Sequence, residues 1–226
     1  MIAHAHIGAR DLFPTLLTET IQNFGRGILE PGSVLYPNQK LKSVFSQEHV
    51  VTKLVDDGLS RHADRAIISA HGLLGKTTEK NSVYPQADIK LRSLAAFLSD
   101  CRVCIHLIVT PQYDYKHILE ASAEASWVNI VLKIKKHFPH SPIIVWPFEA
   151  PHKETYKFVE ELIGRQLNQT QREEINRLSK KQRFSARKSE SDAFSDSFAT
   201  YLDELYEYDL AKLQQMSNVK VHIQDA

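Results

Sequence analysis

The segment Val103-Cys-Ile-His-Leu-Ile-Val109 constrains the fold most. It is short, rich in β-branched residues and almost unbroken in apolar character. Such a run reads as a strand covered on both faces, and a two-sided sheet is a parallel one whose crossovers lay helices on each side. The rest of the chain should then alternate strands with helices, and it does. Met1 to Ile7 reads as a first strand ending at Gly8. Pro14 marks a first helical turn, with Leu16, Leu17, Ile21 and Phe24 as its apolar stripe. Gly25, Gly27, Pro31 and Gly32 break the chain, and a second helix is expected from Ser46 to near Gly58. Arg65 to Ala70 is a strand, after which Gly72 and Gly75 open a polar loop running to Pro85. Asp88 to Ser99 is a helix with Ile89, Leu91, Leu94, Ala95 and Leu98 inward. Val103 to Val109 should be central, and Pro111 should begin a long helical stretch towards His137. Ile143 to Trp146 is a buried strand between Pro142 and Pro147, and Lys153 to Ile163 a helix with Tyr156 and Val159 on one face. Residues 168–193 are polar and basic and are expected to be a mobile segment. Phe194 to Met216 is an amphipathic helix, and Val219, Val221 and Ile223 alternate as a closing strand. The expectation is one α/β domain over residues 1–226, a three-layer sandwich with a mainly parallel central sheet and a C-terminal helical extension.

A chain of 226 residues with 42% hydrophobic and 24% charged residues can bury a full core without disulfides or a structural metal. Lys and Arg number 28 against 27 Asp and Glu, a formal charge of +1, so no bulk field advertises nucleic acid or an anionic membrane. Cys101 and Cys104 are three apart in an apolar run that reads as strand, which points them to opposite faces, and no second pair completes a zinc site. They read as small buried residues in a reducing cytoplasm. No stretch approaches the roughly 18 apolar residues of a membrane span. The N-terminal residues lack a basic region followed by an apolar one, so no signal peptide is expected and the protein reads as cytoplasmic.

Ligands of open α/β sheets bind beyond the carboxyl ends of the strands. That rule selects Gly8 to Thr15, Ser69 to Gly75, Thr110 to Asp114 and Pro147 to Pro151. It gathers Arg10, Asp11, Thr15, Ser69, His71, Lys76, Thr110, Gln112, Asp114 and Glu149. The first segment joins a strand to a helix N-terminus, where free N–H groups and the helix dipole favour an anion. A phosphate-cradling loop ordinarily has several glycines and a Lys followed by Ser or Thr. This loop has Gly8 alone, no Lys, and Pro14, which removes one donor. A plain strand-to-helix turn explains it at least as well.

The order of landmarks resembles the bacterial sulfotransferase-like proteins. Those chains open with His-Ile-Gly, a Lys-Thr-Gly-Thr-Thr loop and a helix, followed by Gly-x-x-Tyr-Pro. Here His6-Ile7-Gly8 is followed by Gly32-Ser-Val-Leu-Tyr36-Pro37, then by Ile67-Ile-Ser69-Ala-His71-Gly-Leu-Leu-Gly75 and Tyr84-Pro85. Ile108-Val109-Thr110-Pro111-Gln112-Tyr113-Asp114 stands where the family's central strand ends. Phe138-Pro139, Ile144 to Glu149 and Tyr206-Glu-Tyr-Asp209-Leu210 continue the order nearly to the end of the chain. The resemblance implies a P-loop-type, sulfotransferase-like fold and sulfuryl transfer from PAPS (3′-phosphoadenosine-5′-phosphosulfate) to a hydroxyl of a small molecule or carbohydrate. By position it implies Gly8, Arg10, Thr15, Ser69, Thr110 and Arg187 around the cofactor, and His71 or Asp114 as the base. The cofactor grip departs from the family. Asp11 stands near the loop Lys, followed by Leu12, Phe13 and Pro14. Thr110 and Ile118 replace the Arg and Ser that hold the 3′-phosphate, and His71 replaces a Glu. A desolvated Asp against a phosphosulfate costs several kcal/mol, on the order of 2–5. Arg10, Arg187 or Lys188 would have to compensate.

Two other classes stay open. One is a non-catalytic binding or scaffold protein on the same fold, with a partner or a homo-oligomer as its expected company. The other is a metal-dependent hydrolase built on His4 and His6, which share one face of the first strand. Its remaining ligands would come from Asp11, Asp114 or Glu149, and His71 and His106 are expected near each other. Packed sheet histidines explain the same residues without any metal. Arg172, Arg177, Lys180, Lys181, Arg183, Arg187 and Lys188 form a basic stretch that reads first as a solvated face, and otherwise as a lid over an anion. Phe184 is its only aromatic residue, so nucleic acid is not expected. Neither is a membrane partner. Gly-x-Ser-x-Gly is absent, and Ser69-Ala-His71 is too close in sequence to imply a hydrolase triad.

Overall fold

The computed structural model describes residues 2–8, 33–37, 65–69, 73–74, 84–112, 125–147, 155–186 and 196–222. Six strands of the described residues form one sheet: β1 (Ile2–Gly8), β2 (Ser33–Pro37), β3 (Arg65–Ser69), β4 (Arg102–Val109), β5 (Ile143–Pro147) and β6 (Val219–Val221). Their order is β2-β3-β1-β4-β5-β6, and every neighbouring pair is parallel. Among the described residues, five helices accompany them: α1 (Ala87–Phe97), α2 (Trp127–His137), α3 (Thr155–Ile163), α4 (Gln169–Ala186) and α5 (Asp196–Gln214).

Parallel pairing explains the burial. Ala3, Ala5 and Ile7 of β1, Ala66 and Ile68 of β3, and Val103, Ile105, Leu107 and Val109 of β4 point to one face. There they meet Leu91 and Leu94 of α1, Trp127, Ile130, Val131 and Ile134 of α2, and Leu202, Tyr206 and Leu213 of α5. On the opposite face Ile67 and Ile108 pack with Phe158, Val159, Leu162 and Ile163 of α3, and with Ile175 and Leu178 of α4. The architecture is a three-layer α/β sandwich, as the apolar run of β4 requires.

Four expectations are corrected. Ser33–Pro37 is an edge strand, where the sequence shows only a break after Gly32. No continuous helix runs from Pro111: Ala125 and Ser126 are non-helical, and α2 begins at Trp127. Ser126 is in extended conformation and its Oγ accepts from the Val128 N–H, an N-cap that starts a helix afresh. Lys135 and Lys136 stand in its last turn, cations on the negative end of its dipole. Ile89 faces outward, 57% exposed.

The largest correction concerns the polar segment, since Gln169–Ala186 is a helix. Asn168 Oδ1 accepts from the Gln171 N–H at 2.9 Å, and Gln171 Oε1 accepts from the Asn168 N–H at 3.0 Å, a reciprocal capping box. Gln169–Glu173 and Arg177–Glu174 side-chain bonds run along the helix. Ile175 and Leu178 supply its buried contact. The segment lacks apolar residues because one narrow stripe suffices. The predicted helices at Pro14 and Ser46 lie outside the described residues.

Candidate functional site

The chain leaves β1 for the far edge of the sheet, returns through β3, then crosses to β4 on the other side of β1. The direction of winding therefore reverses between β1 and β4, which in open α/β sheets is where the ligand crevice lies, at the carboxyl ends of those strands. Gly8 closes β1 there, opposite Ile108. Its φ is +120°, and a Cβ at this position would collide with the Ile108 carbonyl oxygen. Only glycine satisfies both demands. His6, two residues earlier, is buried, its ring edge-on to Phe158 at 5.1 Å.

Across the crevice, β4 runs into Thr110 and Gln112, both buried. The Thr110 carbonyl accepts from the Trp127 indole N–H at 2.8 Å. Gln112 Nε2 donates to Asp209 Oδ2 at 2.8 Å, while its Oε1 has no hydrogen-bond partner among the described residues. Asp209 is fully buried and accepts also from Ser126 Oγ at 2.8 Å and from the Trp127 backbone N–H at 2.6 Å. Burial pushes its pKa up, against the lowering pull of those donors. The carboxylate thus anchors α5 to the start of α2 and to the loop that leaves β4. The sequence places Asp209 within a C-terminal landmark, but nothing in its spacing shows that it reaches Gln112.

Below the crevice, on the face covered by α3, three side chains converge. His4 Nδ1 lies 3.0 Å from His106 Nε2, and Cys104 Sγ lies 3.6 Å from the same nitrogen. The strand register makes this inevitable, because His4 sits opposite Cys104 and His6 opposite His106. His106 Nδ1 receives the Trp146 indole N–H at 3.3 Å. The indole only donates, so Nδ1 of His106 is bare, Nε2 carries the proton, and that proton points to His4 Nδ1. Trp146 in turn stacks on His222 at 3.9 Å. Burial, helped by the Arg65 charge, lowers His4 to about 4; burial and the neighbouring histidines push His106 well down. Both rings are neutral at pH 7. Burial raises the Cys104 thiol to about 11, with Glu161 adding to the effect.

Several expectations change here. His4 finds its ligand-type neighbours in Cys104 and His106 rather than in His6. Cys101 and Cys104 do point to opposite faces and are free thiols, but both are only half-buried, and Cys104 belongs to a polar cluster. Of the expected cofactor residues, Gly8, Ser69 and Thr110 stand at the carboxyl edge. Arg10, Thr15, His71, Asp114 and Arg187 lie outside the described residues, as do Asp11, Glu149 and Lys188. In the basic stretch, Arg172 is held by Glu160 at 2.8 Å and lies over the Tyr156 ring, and Arg177 is held by Glu174. Arg172 thereby ties α4 to α3, while Arg177 pairs within α4. No helix among the described residues is long and apolar enough to cross a membrane.

Scans against protein-family models and against curated proteins find no match. Among solved structures, the chain aligns with mouse sulfotransferase SULT7A1 complexed with PAP. Identity is 12%, the TM-score is 0.39, and the alignment covers 92% of this chain and 84% of that one.

Proposed function

We propose that the chain is a sulfotransferase-like protein that takes a bisphosphorylated adenine nucleotide, PAPS or its product PAP, in the crevice between β1 and β4. One observation carries this reading. The strand order puts the reversal of winding at β1 and β4, and β1 ends there in a glycine whose backbone lies against Ile108. That is where open α/β sheets bind nucleotides, and a turn leaving a strand through such a glycine brings backbone N–H groups close to a phosphate. The His6-Ile7-Gly8 landmark falls on this point.

In the transfer, the acceptor hydroxyl oxygen bonds to sulfur as the bond from sulfur to the phosphate oxygen breaks. The hydroxyl proton passes to a base, and the charge left on the nucleotide needs cations. By sequence position His71 or Asp114 is the base, and Arg10 and Arg187 are the cations, with Thr15 and Ser69 on the phosphates. The acceptor is a small-molecule or carbohydrate hydroxyl.

A second reading, a non-catalytic binding protein on the same fold, is favoured by Thr110. It stands where the sulfotransferase-like proteins carry an arginine, it is buried, and its carbonyl is committed to Trp127. Titration calorimetry with adenosine 3′,5′-bisphosphate separates the two. Micromolar binding that weakens at least tenfold (about 1.4 kcal/mol) in Arg10→Ala supports the nucleotide site. Absence of heat and of thermal stabilisation at millimolar nucleotide overturns it and leaves the scaffold reading.

A further inference from the structure

The geometry points to a transition-metal site at His4, Cys104 and His106, one that takes a borderline-soft divalent ion of the zinc class and is separate from the nucleotide crevice. The three ligand atoms lie within 4.8 Å of one another. A tetrahedral ion with Zn–N near 2.0–2.1 Å and Zn–S near 2.3 Å holds two nitrogens about 3.3 Å apart, and nitrogen and sulfur about 3.6 Å apart. Here the N···N distance is 3.0 Å and Cys104 Sγ lies 3.6 Å from His106 Nε2, while its separation from the His4 ligand nitrogen stays within 4.8 Å. An ion can therefore take the place of the proton shared by the two imidazoles, with Cys104 Sγ closing on the His4 nitrogen as it binds. A donor set of two imidazole nitrogens and one thiolate sulfur selects zinc or cobalt over magnesium or calcium, which require oxygen ligands.

The strands fix the ligands rigidly. His4 is paired with Cys104 across β1 and β4, and His106 lies two residues further along the same face. Four residues of strand, about 13 Å, separate His4 from Gly8. Charge is accounted for locally. The Arg65 guanidinium opposes a bare cation, whereas a Cys104 thiolate and nearby Glu161 offset it. Ligation requires neutral imidazoles and a thiolate, so binding of the ion releases the Cys104 proton to solvent.

Binding has one structural consequence that sets it apart from adventitious metal. His106 can ligate through Nε2 only when its proton moves to Nδ1. That proton then faces the Trp146 indole N–H, two donors head to head, so the 3.3 Å contact must break. Trp146 emission therefore reports occupation of the site.

The test is titration of the reduced, chelator-treated full chain with Co(II), followed by near-ultraviolet thiolate-to-cobalt absorption and by tryptophan emission. The expected result is saturation at one equivalent, with both signals moving together and reversing on Zn(II) competition. Cys104→Ala should abolish the thiolate band, and both it and His4→Ala should weaken binding by at least about tenfold. Cys101→Ala should change nothing, and nucleotide titration should be unaffected. No saturable binding at one equivalent overturns the proposal. So does a thiolate band that survives Cys104→Ala, or saturation without any change in tryptophan emission.

Discussion

The two faces of the sheet are built from alternate residues of the same strands, yet they have different chemistry. The face under α1, α2 and α5 is aliphatic: Ala3, Ala5 and Ile7, then Val103, Ile105, Leu107 and Val109. The face under α3 and α4 carries His4, His6, Cys104, His106 and Trp146 among Ile67, Ile108 and Phe158. A run that scans as uniformly apolar thus hides a two-residue period of function. The aliphatic face contributes burial, at roughly 25 cal/mol per Å². The other gives up some of that to keep imidazole nitrogens and a thiol in register. One strand, β4, stabilises the fold on one side and holds imidazole and thiol groups in register on the other.

The largest effect should come from Trp127→Ala. It empties a fully buried site and removes the indole donor to the Thr110 carbonyl, so unfolding in urea should show a loss of about 3–5 kcal/mol. An unchanged midpoint would break the assignment of stability to the aliphatic face. Asp209→Ala should cost about 3 kcal/mol, because three donors lose their acceptor in a buried place. Asp209→Asn should cost less, since an amide oxygen still accepts and its NH2 can donate to Ser126 Oγ. Asp209 also sets a pH dependence of known sign. A carboxyl raised in the folded state binds more protons there than in the unfolded chain, so its contribution falls as pH rises from near 4 through the raised value. Asp209→Asn should remove that slope.

On the other side of the sheet, Asn168→Ala should cost about 1 kcal/mol by opening the capping box of α4. Its helical circular dichroism should fray while the aliphatic face stays intact. The smallest effect belongs to Asp88, which Lys136 and His137 hold down at about 2 through hydrogen bonds across α1 and α2. A lowered carboxyl favours the folded state above its ordinary pKa near 4, and that favour is lost as pH falls through about 2. Asp88→Asn should therefore leave the melting temperature almost unchanged at neutral pH and in salt.

Much of the architecture is legible in the sequence for a simple reason. Buried parallel strands such as Val103–Val109 and Ile143–Trp146 are near-continuous apolar runs closed by Pro111 or bounded by Pro142 and Pro147, and those signals need no tertiary context. The capping box at Asn168 is equally visible in principle, but the scarcity of apolar residues in 169–186 outweighs it in a reading by composition. Strand β2 is short and at the edge, so little in Ser33–Pro37 distinguishes it from a turn. The polar groupings are harder still. Asp209 and Gln112 are 97 residues apart, and His4 and His106 are 102 apart. Sequence periodicity assigns a face within one strand, as it does for His4 and His6, but only strand order and register decide which residue of another strand comes opposite.

Neighbouring residues of β4 allow the most direct measurement. Ile105 points into the aliphatic face and Cys104 into the other. Unfolding free energies of Ile105→Ala and Cys104→Ala, measured side by side, should differ sharply. A loss of about 2–5 kcal/mol is expected for Ile105→Ala and less than about 1 kcal/mol for Cys104→Ala. Equal losses, or a larger one for Cys104→Ala, would contradict the division of the sheet into a stabilising face and a face kept for chemistry.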